Sequence, residues 1–211
     1  MSCLQRSPSK LRLASCILML AGHVLVSDLA HAWSLTIGAA SRRVFLHVGN
    51  GTYDGNNGTI NLVQVSVPAV QLGNGSPLTM TSNSTQSASL VDGYVTCPNP
   101  AQQVLIGASY RRNNAGNGPA SATLTVTSPA NLTNANGDTI PFSQISWTVS
   151  AAGSDVPNVI PAGTFNGSTQ VLASVPANRY IENCHSFRFA NSAVRAAGTY
   201  TGQVRYTISS P

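Results

Sequence analysis

The chain has 211 residues, enough for one domain of ordinary size or for two small ones. Only 8% of the residues are charged and 42% are hydrophobic, which excludes the charge-rich, core-poor composition of a disordered chain. The formal net charge of +5 comes from scattered basic residues, so the concentrated basic stripe that nucleic-acid binding requires is absent.

The first 32 residues have the three-part pattern of an export signal. A basic start without acids precedes an apolar stretch from Leu13 to Val26, and small residues follow at Ala30 and Ala32. Cleavage after Ala32 leaves Trp33 as the first mature residue. As a helix, the apolar stretch is about 21 Å long, short of the ~30 Å hydrocarbon core of a membrane. We therefore predict an exported protein of the periplasm, cell surface or extracellular space, with no membrane span after signal removal.

Only two cysteines, Cys97 and Cys184, lie beyond the predicted signal. In an oxidising compartment, a single pair of this kind predicts one disulfide. The alternative is a metal site, but the pair lacks C-x-x-C spacing, and His185 is the only histidine beside it. We therefore predict a Cys97–Cys184 disulfide, no metal site and no cofactor.

The mature chain has the pattern of strands joined by tight turns. Apolar residues alternate with a period of two, and Asn-Gly and Asp-Gly pairs, which suit hairpin turns, separate the segments. About ten strands are predicted, at residues 44–48, 59–67, 78–81, 87–96, 103–110, 122–127, 145–150, 169–175, 180–189 and 200–209. No apolar stripe of helical period lasts three turns. The prediction is an all-β fold, an antiparallel immunoglobulin-like β-sandwich.

Residues 33–211 are predicted to form a single domain. The best alternative boundary is the Gly- and Asn-rich segment 111–120, which divides the mature chain into two halves. A Cys97–Cys184 disulfide would bridge this boundary, and we therefore favour one domain with long loops.

The last predicted strand alternates most clearly. Its polar residues face the opposite way from a core face made of Tyr200, Val204, Tyr206 and Ile208. We therefore expect the end of the chain to be built into a sheet.

Two short alternating segments occur at the start of the mature chain. The first contains Trp33, Leu35 and Ile37, and the second contains Val44, Leu46 and Val48. Each is either an ordinary first strand or an extension that adds to the sheet of a neighbouring subunit. The sequence leaves both alternatives open.

The predicted mature chain carries no catalytic signature. Its only histidines are His47 and His185, and no G-x-S-x-G motif is present. Glu182, Cys184 and His185 are close in sequence, but alternation along a strand places Glu182 with Cys184 and turns His185 to the opposite face. We therefore predict a protein that is not an enzyme.

Two aromatic residues give different expectations for ligand binding. Trp147 shares a face with Ile145 and Val149, a pattern that favours a core position over a ligand platform. Tyr53 lies in a turn-rich stretch and is the better candidate for exposure. It supports the alternative function of a monomeric secreted binding module, with carbohydrate as one ligand class.

The chain resembles exported β-sandwich subunits of bacterial surface fibres. The resemblance lies in the signal, the Gly/Asn/Thr-rich strands, the one widely spaced cysteine pair and the ending AGTYTGQVRYT at residues 197–207. These subunits include chaperone-usher pilins and the spore coat U-like group. The resemblance implies an incomplete immunoglobulin-like sandwich, completed first by a periplasmic chaperone and then by the N-terminal strand of a like subunit.

In this arrangement Tyr200, Val204, Tyr206 and Ile208 would form the groove-side strand, and one of the two N-terminal segments would be the donor. The implied function is that of a fimbrial-like structural or adhesive surface subunit.

Overall fold

The computed structural model describes residues 33–51, 61–113, 118–149 and 160–211, with Trp33 and Ser34 described by their backbone alone. These ranges contain fourteen strands and three single-turn helices, at Ala69–Gln71, Pro100–Gln102 and Phe142–Gln144. The strands are β1 (Trp33–Thr36), β2 (Arg43–Val48), β3 (Val63–Gln64), β4 (Leu78–Thr79), β5 (Thr81–Ser82), β6 (Val104–Arg111), β7 (Ser121–Thr127), β8 (Asn131–Thr133), β9 (Thr139–Pro141), β10 (Ile145–Val149), β11 (Gly163–Thr164), β12 (Thr169–Pro176), β13 (Arg179–Phe189) and β14 (Arg205–Ser209). All strand pairs are antiparallel, so the predicted all-β fold is confirmed.

The larger sheet is built around β13, an eleven-residue strand that other strands flank on both edges. The strand order is β11-β10-β13-β6-β2. The first half of β13 pairs with β6 on one edge and with β1 on the other. Its second half pairs with β4 and β10 in the same way. As a result, β1 and β10 lie end to end along one edge of β13.

The smaller sheet has the order β12-β7-β14 and packs against the larger one. Alternate residues of β7, namely Ala122, Leu124 and Val126, are fully buried in the main core. Ile106 and Ala108 of β6 belong to the same cluster. Two sheets that bury their facing residues in one core form a β-sandwich. Two further pairs, β3 with β5 and β8 with β9, stand outside both sheets.

Several strand predictions are confirmed, but others need correction. Within the described part of the predicted strand 59–67, only Val63–Gln64 is a strand, and the predicted strand 200–209 is shorter, because β14 begins at Arg205. The alternation of β14, the absence of a long helix in the described residues and the core position of Trp147 agree with the sequence analysis. The predicted strand 87–96 is wrong: this segment is mostly irregular, with a turn at residues 90–92 and one isolated bridge between Ala88 and Val95. The β8–β9 hairpin was not predicted; its turn contains Gly137 at a φ of 86°.

The candidate boundary at 111–120 lies between strands that share one sheet. Strands β2, β4 and β6 precede this segment, whereas β10, β11 and β13 follow it, and all six belong to the larger sheet. Residues 114–117 lie outside the described ranges.

Candidate functional site

Strand β1, the first candidate donor segment, lies along the edge of β13 in its own chain. Leu35 is opposite Tyr180, and Thr36 is opposite Arg179. Beyond the strand, the Ile37 N–H donates to the Asn178 carbonyl at 3.1 Å. Leu35 and Ile37 are half-buried and Thr36 is exposed, so β1 is held mainly through its backbone.

The other edge of β1 pairs with no strand among the described residues. The connector to β2, residues 37–42, is mostly exposed. A side chain at Gly38 would find open space, because no atom lies within 4 Å of its Cβ position. The first strand is therefore a peripheral element on a lightly packed connector.

The second candidate donor segment is an integral part of the larger sheet. It forms β2, which pairs with β6 over six residues. The side chains of Val44, Leu46 and Val48 are half-buried and pack against the main core. Deletion of this strand would therefore remove part of the sandwich itself.

The four C-terminal residues predicted to form one core face of a strand all contact the core, but only two of them lie on a strand. Tyr206 and Ile208 lie on β14, whereas Tyr200 and Val204 precede it, and all four are half-buried against the main core. Burial also raises the pKa of the Tyr206 hydroxyl. Strand β14 pairs with β7 and with neither N-terminal segment.

The free edge of β14 lies close to β2. There, the Arg42 guanidinium donates to the Ser210 hydroxyl through Nη2 at 3.1 Å.

The disulfide joins β13 to a long loop that covers the outer face of the larger sheet. Cys97 and Cys184 are bonded, with a Cα–Cα distance of 5.3 Å. Together with Leu105 they form a small buried cluster separate from the main core. We call residues 84–103 the strap. Its own turns are closed by backbone hydrogen bonds, including Cys97 N–H to the Ser87 carbonyl at 2.8 Å.

Beneath the strap lies a buried carboxyl group, that of Glu182. The side chain is fully buried, and the Thr96 and Tyr180 hydroxyls each donate to one of its oxygens. Ser89 also hydrogen-bonds this carboxyl group. Burial raises the pKa of Glu182, the three hydroxyls oppose the rise, and the charge of Asp92 adds to it. The cluster fastens the strap to β13.

Gly107 provides the space that this cluster needs. It lies opposite Glu182 on the neighbouring strand β6, and a Cβ there would collide with the Tyr180 hydroxyl. A glycine in a strand interior costs stability, so its presence marks a close approach of this kind.

The two histidines occupy opposite faces of the larger sheet. His47 lies opposite Gly107 on the strap side, whereas His185 stacks on Trp147 in the core with ring centroids 6.2 Å apart. Burial lowers the pKa of His47, and it lowers the pKa of His185 to about 3. Backbone groups of Gly49 and Gly51 partly oppose the lowering of the His47 pKa. In the described structure, however, neither ring nitrogen of either histidine makes a hydrogen bond of normal geometry.

The structure agrees with the sequence argument on the Glu182–His185 segment. Glu182 and Cys184 face the strap, and His185 faces the core with Phe187. The sequence could not show that Thr96 and Ser89 come to Glu182, because this contact spans 86 residues.

Other predicted features lie outside the described residues. These are the signal segment with its cleavage site after Ala32, and Tyr53. Within the described ranges, no cluster of three His, Cys, Asp or Glu side chains could hold a metal ion. The same ranges contain no helix with the length and apolarity that a membrane span requires.

Comparisons with known proteins give no relative. No family model, no curated protein and no solved structure matches this chain.

Proposed function

We propose that this chain is an exported, non-enzymatic structural or adhesive subunit of a bacterial surface, fimbrial in type, whose copies join by exchanging strand β1. The observation that carries the proposal is the position of β1, an N-terminal strand that pairs with a single edge of β13. The export pattern of residues 1–32 and the all-β fold are consistent with it.

Loss of β1 would leave one edge of β13 unpaired, which would be energetically unfavourable. Tyr180, Ile181 and Glu182 are fully buried there, and β6 already occupies the opposite edge. If β1 leaves, the backbone groups of residues 179–182 that face β1 lose their partners. An unpaired strand edge is a template for another chain, and the β1 of a second copy has the matching sequence.

Exchange restores the contacts that β1 makes within one chain. The free-energy difference between the exchanged dimer and the unexchanged monomer then depends mainly on the connector and on protein concentration. A connector of six residues, 37–42, spans at most about 20 Å when extended, which sets how far apart two joined copies sit. A periplasmic chaperone is a natural partner under this proposal, because it would cover the β13 edge before assembly.

The test uses two variants that each carry one added cysteine, Thr36→Cys and Arg179→Cys, expressed together. These positions face each other in the β1–β13 register, and both side chains are exposed. Facing residues of antiparallel strands lie about 4.5–5.5 Å apart at Cα, within reach of a disulfide. We expect a covalent dimer containing one copy of each variant.

The matched control pairs Thr36→Cys with Ser174→Cys, an exposed position on β12 in the other sheet. This pair should give no specific dimer. The proposal fails if the Thr36→Cys and Arg179→Cys pair gives no more mixed dimer than the control at concentrations where the protein self-associates, or if no self-association occurs.

A further inference from the structure

Five of the eight arginines beyond the predicted signal meet at one end of the larger sheet. We call this surface the arginine end, and its members are Arg42, Arg43, Arg111, Arg112 and Arg179. Arg43 begins β2, Arg111 ends β6 and Arg179 begins β13, and the antiparallel register places these three strand ends side by side. The fold therefore concentrates a charge that the sequence scatters.

Two of these arginines form a directly facing pair. Arg43 is the cross-strand partner of Arg111, so both side chains leave the same face of the sheet from Cα atoms about 4.5–5.5 Å apart. Arg43 is exposed, Arg111 is half-buried, and neither side chain makes an ion pair or hydrogen bond with a residue in the described ranges. Like charges directly opposite each other destabilise a sheet, so folding alone does not explain the pair.

Protection of a sheet edge does not account for the pair either. Charged side chains on an edge strand discourage pairing with another chain, and β2 is an edge of the larger sheet. Arg111, however, lies on β6, which has β2 on one side and β13 on the other. A charge on an interior strand protects no edge, and Arg111 therefore needs another explanation.

The three other arginines are oriented by neutral oxygen atoms. Arg112 donates to the Pro119 carbonyl at 3.2 Å, and Arg179 donates to the Thr36 hydroxyl. Arg42 is held in the same way by a serine hydroxyl. These contacts fix the positions of the guanidinium groups and leave their charges in place.

The acids of the described ranges lie elsewhere. They are Asp92 in the strap, Asp138 in the β8–β9 hairpin and Glu182 beneath the strap. Glu182 is opposite Gly107, about 13 Å along β6 from Arg111, and its oxygens already accept hydrogen bonds from two hydroxyls. The arginine end is therefore a positive surface that no side chain of the described ranges neutralises.

The surroundings of the arginine end select among anionic ligands. Exposed hydroxyl and amide side chains lie beside the arginines, at Thr36, Ser41 and Asn113. None of the large exposed apolar side chains of the described ranges belongs to β1, β2, β6 or β13. A membrane surface would call for apolar side chains that enter the bilayer, and a single-stranded nucleic acid would call for exposed aromatic rings. An acidic polysaccharide requires only charge and hydrogen-bonding groups.

We propose that the arginine end binds an acidic polysaccharide, one that carries sulfate, phosphate or carboxylate groups. Arg43 and Arg111 would hold one such group between their guanidinium forks, whose geometry matches two oxygens of an oxyanion. The other three arginines would meet neighbouring charged units, and Thr36 and Ser41 would bond sugar hydroxyls. The site is complete in one copy of the chain, so it does not depend on the exchange of β1.

The test measures binding of the full mature chain to heparin, a sulfated glycan, by surface plasmon resonance. The double variant Arg43→Gln/Arg111→Gln removes the facing charges. The matched control, Arg188→Gln/Arg205→Gln, changes the net charge equally at exposed positions on β13 and β14. Arg188 is about 30 Å along β13 from Arg179, which separates the control from the arginine end.

We expect heparin affinity to fall about tenfold or more in Arg43→Gln/Arg111→Gln and less than about threefold in the control, since one charge-assisted hydrogen bond corresponds to about tenfold. Removal of facing like charges should leave the melting temperature unchanged or higher. If the double variant does not fold, Arg43→Gln and Arg205→Gln give the same comparison. The proposal is overturned if the wild type does not bind heparin, or if the variant and its control bind heparin equally well.

Further probes distinguish a polysaccharide from other anions. Neutral dextran should not compete with heparin, because it carries no charge. The proposal is also overturned if phosphatidylglycerol vesicles or a short DNA duplex bind as tightly as heparin with the same dependence on Arg43 and Arg111. The arginine end would then recognise a lipid headgroup or a nucleic acid.

Discussion

Replacement of Glu182 by glutamine should remove a defined part of the pH dependence of folding. The Glu182 carboxyl is fully buried, and desolvation is the main cause of its raised pKa. Glutamine has nearly the same shape and can still hydrogen-bond Thr96 and Tyr180, but it does not titrate. Comparison of the two proteins therefore isolates the ionisation of one group.

The sign follows from the direction of the pKa shift. The ordinary pKa of this group is 4.5, and the folded protein raises it, so the folded state holds the proton more tightly than the unfolded state does. The stability that Glu182 contributes is fully present below the ordinary pKa and is lost as the pH rises through the folded pKa. Within that window, one proton changes the free energy of unfolding by about 1.4 kcal/mol per pH unit at most.

The assay is urea denaturation of wild type and Glu182→Gln at intervals from about pH 4 to about pH 8. The free energy of unfolding of the wild type, minus that of the variant, should fall as the pH rises and then level off. Contributions from groups that do not interact with Glu182 cancel in the difference, whereas the charge of Asp92 is part of the Glu182 shift and remains in it. A difference that is constant with pH, or that grows with it, would refute the view that burial controls this carboxyl group.

Three further experiments test the packing around the strap and the core. Loss of the disulfide in Cys97→Ser/Cys184→Ser should lower the free energy of unfolding by about 4–5 kcal/mol, since the bond closes a span of 87 residues; a loss below 1 kcal/mol on urea denaturation would contradict this. Gly107→Ala should lower the free energy of unfolding by about 1–3 kcal/mol in the same assay. Adding Tyr180→Phe to this variant should restore part of the loss, because it removes the hydroxyl that collides with the new Cβ. His185→Phe should raise the melting temperature, because it removes two buried nitrogens that have no hydrogen-bond partner among the described residues. An unchanged or lower value would indicate that the imidazole is hydrogen-bonded.

The sequence was most informative where one strand carries its own alternation. Tyr206 and Ile208 lie on one face of β14, and Phe187 and Phe189 lie on one face of β13, as the period of two requires. Glu182 and His185 also lie on opposite faces of β13, as alternation along a strand predicted. These predictions depend only on local geometry, which a single segment of sequence contains.

Long-range contacts and turn chemistry account for what the sequence analysis missed. Segment 87–96 contains enough apolar residues for a strand, but Leu90, Tyr94 and Val95 are exposed, and residues 90–92 form a turn. A hydrogen bond from the Tyr94 N–H to the Asp92 carboxylate stabilises this turn. Pairing of β1 with β13 depends on residues about 145 positions apart, which no local pattern reveals.

Strand β1 is the element on which the proposed function depends, and its partner chain can be determined by nuclear magnetic resonance. The most direct measurement uses self-associated protein assembled from a mixture of isotope-labelled and unlabelled copies, with isotope-filtered detection of contacts between copies. The proposal predicts contacts between Thr36 of a labelled copy and Arg179 of an unlabelled copy. Assemblies in which Thr36 and Arg179 are in contact only within one copy would contradict it.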